Sequence, residues 1–188
     1  MKKRILKSVA EEIQVTGLRF KIDDIAQNIG ISKKTIYAHF DSKAEIIESI
    51  VTQVIKETDE KTNAIFADQQ LSVVDKVKQL MLVMPEYYQI YDRPVLEEMK
   101  RYYPEEWQAV HDSLEEDWNK LEEFINAAVT KGELVTDYHI AIIMKVLRDA
   151  FQMTFDQRFF KQNNITVAQG LTEVIDIFLF GIIPRKEK

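Results

Sequence analysis

Apolar residues recur along this chain at helical spacing, and no stretch alternates in the way a strand requires. Ile5, Val9 and Ile13 fall at i, i+4 and i+8, which predicts a first helix from about Lys3 to Val15, ended by Gly17. The capping box Ser42-Lys43-Ala44-Glu45 opens another helix, carried by Ile46, Ile47, Ile50, Val54 and Ile55 to about Phe66. Leu71 to Tyr91 is again apolar at helical spacing and contains Pro85, which should kink or end the helix. Pro94 and Pro104 bracket a short helix, and a long one follows from about Glu105 to Lys131 with Gly132 as its C-cap. Two broadly apolar helices, Ile140 to Phe160 and Val167 to Ile183, complete the pattern, the second opened by the box Thr166 to Gln169. The expected fold class is all-α.

The stretch Ile22 to Phe40, IDDIAQNIGISKKTIYAHF, has the spacing of a helix-turn-helix. Ala26 stands where two helices approach closely, Gly30 where the turn needs positive φ, and Ile36 six residues later. Ser32 is placed as an N-cap, and Lys33, Lys34, Thr35, Tyr37 and His39 follow on a short helix that Ile36 and Phe40 hold to the core. Asp23 and Asp24 lie in the first turn of the preceding helix, where the macrodipole favours acids. Lys43 falls in the first turn of the helix after the hairpin, where a cation and free N–H groups suit a phosphate. An ordinary helical hairpin with a solvated lysine pair is the competing reading. The conjunction of small residue, glycine and β-branched residue with donors on one face favours DNA.

Charge sharpens that reading. The net charge of −6 is unequally divided: up to residue 47 nine basic residues face six acidic ones, giving +3 and leaving −9 for the rest. A basic reading head on an acidic body is the implied arrangement, with residues 1–47 as the DNA-binding domain and 48–188 as a helical regulatory domain. At 188 residues and 46% hydrophobic, the chain buries a sizeable core without staples. The absence of cysteine excludes disulfides, thiolate metal sites and a cysteine nucleophile, and the expected home is the cytoplasm. Lys7, Glu11 and Glu12 interrupt any signal-like apolar run, and Asp176 breaks the most apolar segment, so no membrane association is expected.

The last two helices carry more apolar residues than one core face uses, which predicts pairing with a second copy through Leu147, Phe151, Leu171, Val174, Ile175, Phe178 and Leu179. The alternative is that both helices are central within one chain. Tyr87, Tyr88, Tyr91, Tyr103, Trp107, Trp118, Phe124, Phe151 and Phe155 are candidates to line a pocket for an apolar or aromatic small molecule, or else to pack as core.

Residues 4 to 47 resemble the DNA-binding domain of the tetracycline-repressor (TetR) family of bacterial transcriptional regulators, most specifically in GISKKTIY-x-HF-x-SK. The resemblance implies an N-terminal three-helix DNA-binding domain with a helix-turn-helix, followed by a helical ligand-binding and dimerisation bundle. It implies a homodimer that represses genes from a palindromic operator until a small-molecule effector binds the body. By the same resemblance, Thr35, Tyr37 and Lys43 grip phosphates while Lys33, Lys34 and His39 face base edges. Lys21 departs from the family, which often has Thr or Ser there; it cannot cap the helix but can meet a phosphate as a cation.

An enzyme finds little support. No HExxH, phosphate loop or catalytic-serine motif occurs, and Ile36, Gln108 and Thr136 stand three before the histidines, so Glu-x-x-His pairs are missing. No cofactor or metal is expected, and His111 and His139 read as structural or solvent-facing. A helical adaptor that retains the hairpin without binding DNA is the remaining alternative.

Overall fold

The N-terminal periodicity becomes α1 (Lys2–Thr16), with Ile5, Val9 and Ile13 buried along one side. In the computed structural model, α2 (Ile22–Asn28), α3 (Lys33–Tyr37), α4 (Lys43–Ala67), α5 (Val73–Met81) and α6 (Arg93–Tyr102) follow. Then come α7 (Pro104–Thr130), α8 (Ile140–Gln152), α9 (Gln157–Gln162) and α10 (Val167–Ile182). The structure describes residues 1–182, with side chains as far as Leu179; Ile183, expected to end the last helix, lies outside the described residues. Among those residues there is no strand, and no helix is long and apolar enough to cross a membrane.

The chain forms two compact units, Met1–Thr58 with Pro85–Ser113, and Asp59–Met84 with Leu114–Lys188. The first extends past the division expected at residue 47 and takes in a later segment, because Glu98 of α6 fastens the turn after α1. Its carboxylate accepts from the Leu18 N–H at 2.7 Å and pairs with Arg19 at 3.1 Å. Gly17 makes that turn with φ +65, and a Cβ there would stand 2.6 Å from the Glu98 carboxylate oxygen.

The second unit has its own core. Val77 and Met81 of α5, Trp118, Leu121 and Ile125 of α7, Ile143, Met144 and Leu147 of α8, and Leu171 and Ile175 of α10 are buried together.

Prolines and caps set the boundaries. Pro85 lies beyond the end of α5, Pro94 in the first turn of α6, and Pro104 opens α7, where its missing N–H costs nothing. Gly132 ends α7 with φ +73, and the Glu133 N–H reaches back to the Ala128 carbonyl at 2.9 Å. The single helix expected over Ile140 to Phe160 is two. Thr154 turns its hydroxyl onto the Phe151 carbonyl (2.6 Å), and Asp156 caps a new helix by accepting from the Phe159 N–H. Such side-chain bonds compete with the helical ladder.

Candidate nucleic-acid interface

The hairpin is closed by backbone chemistry that only a few residues allow. Gly30 has φ +66, so its N–H reaches the Gln27 carbonyl (3.1 Å) while the Ile31 N–H reaches that of Ala26 (2.9 Å). Arg4 of α1 also donates to the Ile29 carbonyl, placing a cation at the C-terminal end of α2. Ser32 then caps α3, accepting from the Thr35 N–H at 3.0 Å, and the two hydroxyls lie 2.8 Å apart. Ile36 is fully buried and anchors one side of α3.

The opposite side carries Lys33, Lys34 and Tyr37, all exposed, with Thr35 half-buried beside them. Lys33 pairs with Asp23 of α2 at 3.0 Å, whereas the Lys34 side chain makes no bond to any described residue. Lys21 is exposed at the start of α2 and, as its chemistry requires, forms no side-chain cap. His39 is not on α3; it lies half-buried in the turn beyond the helix, its N–H bonded to the Ile36 carbonyl (2.9 Å). The recognition helix is thus shorter than the run of donor residues suggests.

Lys43 stands at the start of α4 as expected, but its ammonium is used inside the protein. It donates to the Phe20 carbonyl at 2.7 Å and lies over the Phe20 ring. Burial pushes this ammonium below the ordinary lysine range, with the Glu98 carboxylate opposing. The capping box holds in part: the Glu45 N–H donates to the Ser42 hydroxyl at 3.1 Å, while the Glu45 carboxylate takes the Asp41 N–H rather than that of Ser42.

The nine aromatic candidates fall into separate groups. Tyr87, Tyr88, Tyr91, Tyr103 and Trp107 belong to the first unit, Trp118, Phe124, Phe151 and Phe155 to the second. Tyr87 is buried, and Trp107 stacks on His111 at 5.1 Å. Trp118, Phe151 and Phe155 form a chain of edge-on ring contacts at 5.6 and 5.5 Å.

None of these rings lines the aliphatic cavity of about 150 Å³ in the second unit, which is bounded by Val73, Val74 and Val77, by Ile125, and by Ile143 and Leu147, with Phe178 among its remaining walls. Its signal in the sequence was the valine cluster of α5, which looks like ordinary core.

The expected partner face also divides. Leu147, Leu171 and Ile175 are 2% exposed or less and serve the unit's own core. Phe151 and Leu179 pack at its edge. Val174 and Phe178 instead line an open groove of about 460 Å³ between α8 and α10, together with Ile142, Val146 and Ile177. Ile142 and Ile177 are 59% and 75% exposed, so the outward apolar side lies one helical step from the one read off the sequence.

Comparison with known proteins agrees with the hairpin. Residues 5–50 match the family of bacterial regulatory proteins described as the tetR family. The uncharacterised HTH-type transcriptional regulator YvaF of Bacillus subtilis (strain 168) is 25% identical over 187 residues, which cover 100% of this chain and 98% of that protein. Among solved structures, the TetR-family regulator PfmR of Thermus thermophilus superposes with a TM-score of 0.74 at 20% identity, covering 97% of this chain and 100% of that one. FadR of Bacillus subtilis, a transcriptional regulator solved with stearoyl-CoA, gives 0.62 at 15% identity over 97% and 100%. With a capped, core-anchored recognition helix inside the matched residues, the chain carries a DNA-binding domain of the tetR family, and the proteins it resembles along its length are transcriptional regulators.

Proposed function

We propose that this regulator binds a palindromic operator as a homodimer in the cytoplasm and represses transcription until a small apolar effector enters its second unit. The observation that carries the DNA part is the two-sidedness of α3: Ile36 fully buried on one side, Lys34 and Tyr37 exposed on the other. In this reading α3 enters the major groove, Lys34 donates to guanine O6 or N7, and Lys33 joins it on leaving Asp23. Thr35, Tyr37 and Lys21 meet phosphates, and His39 reaches the groove edge from the turn beyond α3. Lys43 braces the start of α4 through Phe20, and contacts a phosphate only by giving up that bond.

Residues 1–47 do the reading in this proposal, and 48–188 the pairing and sensing. The groove of Ile142, Val146, Val174, Ile177 and Phe178 meets the same groove of a second copy, since an isologous contact needs one self-complementary patch. The effector's apolar character is supported by the aliphatic cavity and by the acyl ligand of the structurally similar FadR.

A nuclease footprint of the purified protein on the DNA upstream of its own gene tests the proposal. Protection of two symmetric half-sites one helical turn or a multiple apart supports it. Uniform weak protection of every sequence opposes it.

A further inference from the structure

Two adjacent lysines open α3, and they are differently placed. The Lys33 ammonium lies 3.0 Å from the Asp23 carboxylate, while the Lys34 side chain has no partner among the described residues. Asp23 stands in the first turn of α2 and Lys33 at the start of α3, so the pair joins the beginnings of the two hairpin helices. Both side chains face solvent, Lys33 at 50% exposure and Asp23 at 68%.

An acid at the start of α2 suits the macrodipole, but Asp24 occupies the same turn and supplies that charge as well. What Asp23 adds is a negative charge against a lysine of the DNA-reading helix. Paired in this way, Lys33 carries no surplus charge with which to release counterions from a duplex. Giving up Asp23 for a phosphate exchanges one anion for another and leaves the carboxylate unpaired beside the DNA backbone. A guanine edge offers more: a two-acceptor contact through O6 and N7 is worth more than an exposed ion pair.

We infer that Asp23 is a specificity-determining residue, which withholds Lys33 from phosphates so that this lysine counts toward binding only where a base draws it from the carboxylate. The inference rests on the reading of α3 as the helix that enters the groove. Asp23 acts through Lys33 and touches no base itself.

The test uses the full chain and measures its affinity for the footprinted duplex and for a scrambled duplex by fluorescence anisotropy over a range of salt. Asp23→Asn keeps the shape of an exposed side chain and removes its charge. It tightens binding to the scramble about fivefold or more near 0.1 M salt and steepens the slope of log K against log salt there by about 1 for each bound head. The gain on the footprinted duplex is smaller, so the preference for it falls about threefold or more. Made on top of Lys33→Ala, the same substitution tightens scramble binding about twofold or less. Asp23→Glu restores the carboxylate and returns the preference to within about twofold of the unmodified chain.

An equal gain on the scramble with and without Lys33 overturns the inference, since Asp23 then acts by net charge alone. A gain of one size on both duplexes, or a loss on both, overturns it too, and each leaves the reading of α3 standing. An unmodified chain that binds the two duplexes alike overturns that reading and the inference with it.

Discussion

The Lys43 ammonium donates a 2.7 Å hydrogen bond to the carbonyl oxygen of Phe20 and rests 4.0 Å from the centre of the Phe20 ring. The two residues flank the helix-turn-helix, Phe20 just before α2 and Lys43 at the start of α4. Their bond therefore ties together both ends of the element that carries the recognition helix. A lysine in a first helical turn invites assignment to phosphate, yet this one has a neutral carbonyl and a π-face as its partners.

Replacing Lys43 by Met removes the bond and the ring contact while keeping the aliphatic stem. The expected cost is about 1 to 2 kcal/mol, the worth of a charged donor's hydrogen bond less the cost of desolvating that charge. Urea unfolding at pH 7 measures it. The pH dependence carries a second signature. Burial holds the folded ammonium below 10.5, so in the window just under 10.5 the unfolded chain binds more protons and stability rises with pH. Lys43→Met loses that rise.

Asp117 on α7 supplies the opposite sign. Burial pushes its carboxyl up to about 6, with Lys120 opposing and Asp59 and Glu116 adding to the rise. Lys120 spends its ion pair on Glu116 at 2.8 Å, and one Asp117 carboxylate oxygen has no hydrogen-bond partner. Between about pH 4 and 6 the folded chain holds a proton that the unfolded chain, near 3.8, has released. Stability therefore falls as pH rises through that window, and the cost is fully present above it. Asp117→Asn is expected to be more stable by about 1 kcal/mol at pH 7, a figure discounted for partial exposure, and the difference closes toward pH 4. Thermal melts of both proteins at pH 7 and pH 4.5 check this.

Much of the head was legible in the sequence because its determinants are local. Gly30, Ser32 and Ile36 act within a few residues of one another, and each does what its spacing implies. The internal use of Lys43 was not legible, since its partner lies 23 residues away. Nor was the role of Glu98, which reaches Leu18 from 80 residues along the chain. In the last helices, periodicity identified the apolar residues but not which side faces the chain's own core. Leu147, Leu171 and Ile175 went inward, leaving Ile142, Val146 and Ile177 outside. The nine aromatic candidates are large enough to line a pocket, while the cavity forms among valines, leucines and isoleucines, with Phe178 the one ring in its walls.

The partner face makes a direct prediction about assembly. Ile177 is 75% exposed, so Ile177→Asp leaves the fold intact while placing a charge in the proposed two-fold contact. Burying an unpaired carboxylate there should weaken dimerisation by about 2 kcal/mol or more. Light scattering at micromolar concentration is expected to report a dimer for the unmodified chain and a monomer for the variant. A dimer in both would move the interface elsewhere.

The central claim is that α3 reads DNA, and Lys34 tests it most directly, its side chain being exposed on that helix without a bond to any described residue. The decisive measurement compares the affinity of the unmodified chain and of Lys34→Ala for the footprinted duplex and for a scrambled duplex at one salt concentration. The account predicts a loss of about 1 to 3 kcal/mol per half-site on the footprinted sequence, with preference relaxed at one symmetric position, and a far smaller loss on the scramble. Equal losses on both duplexes, or none on either, would contradict it.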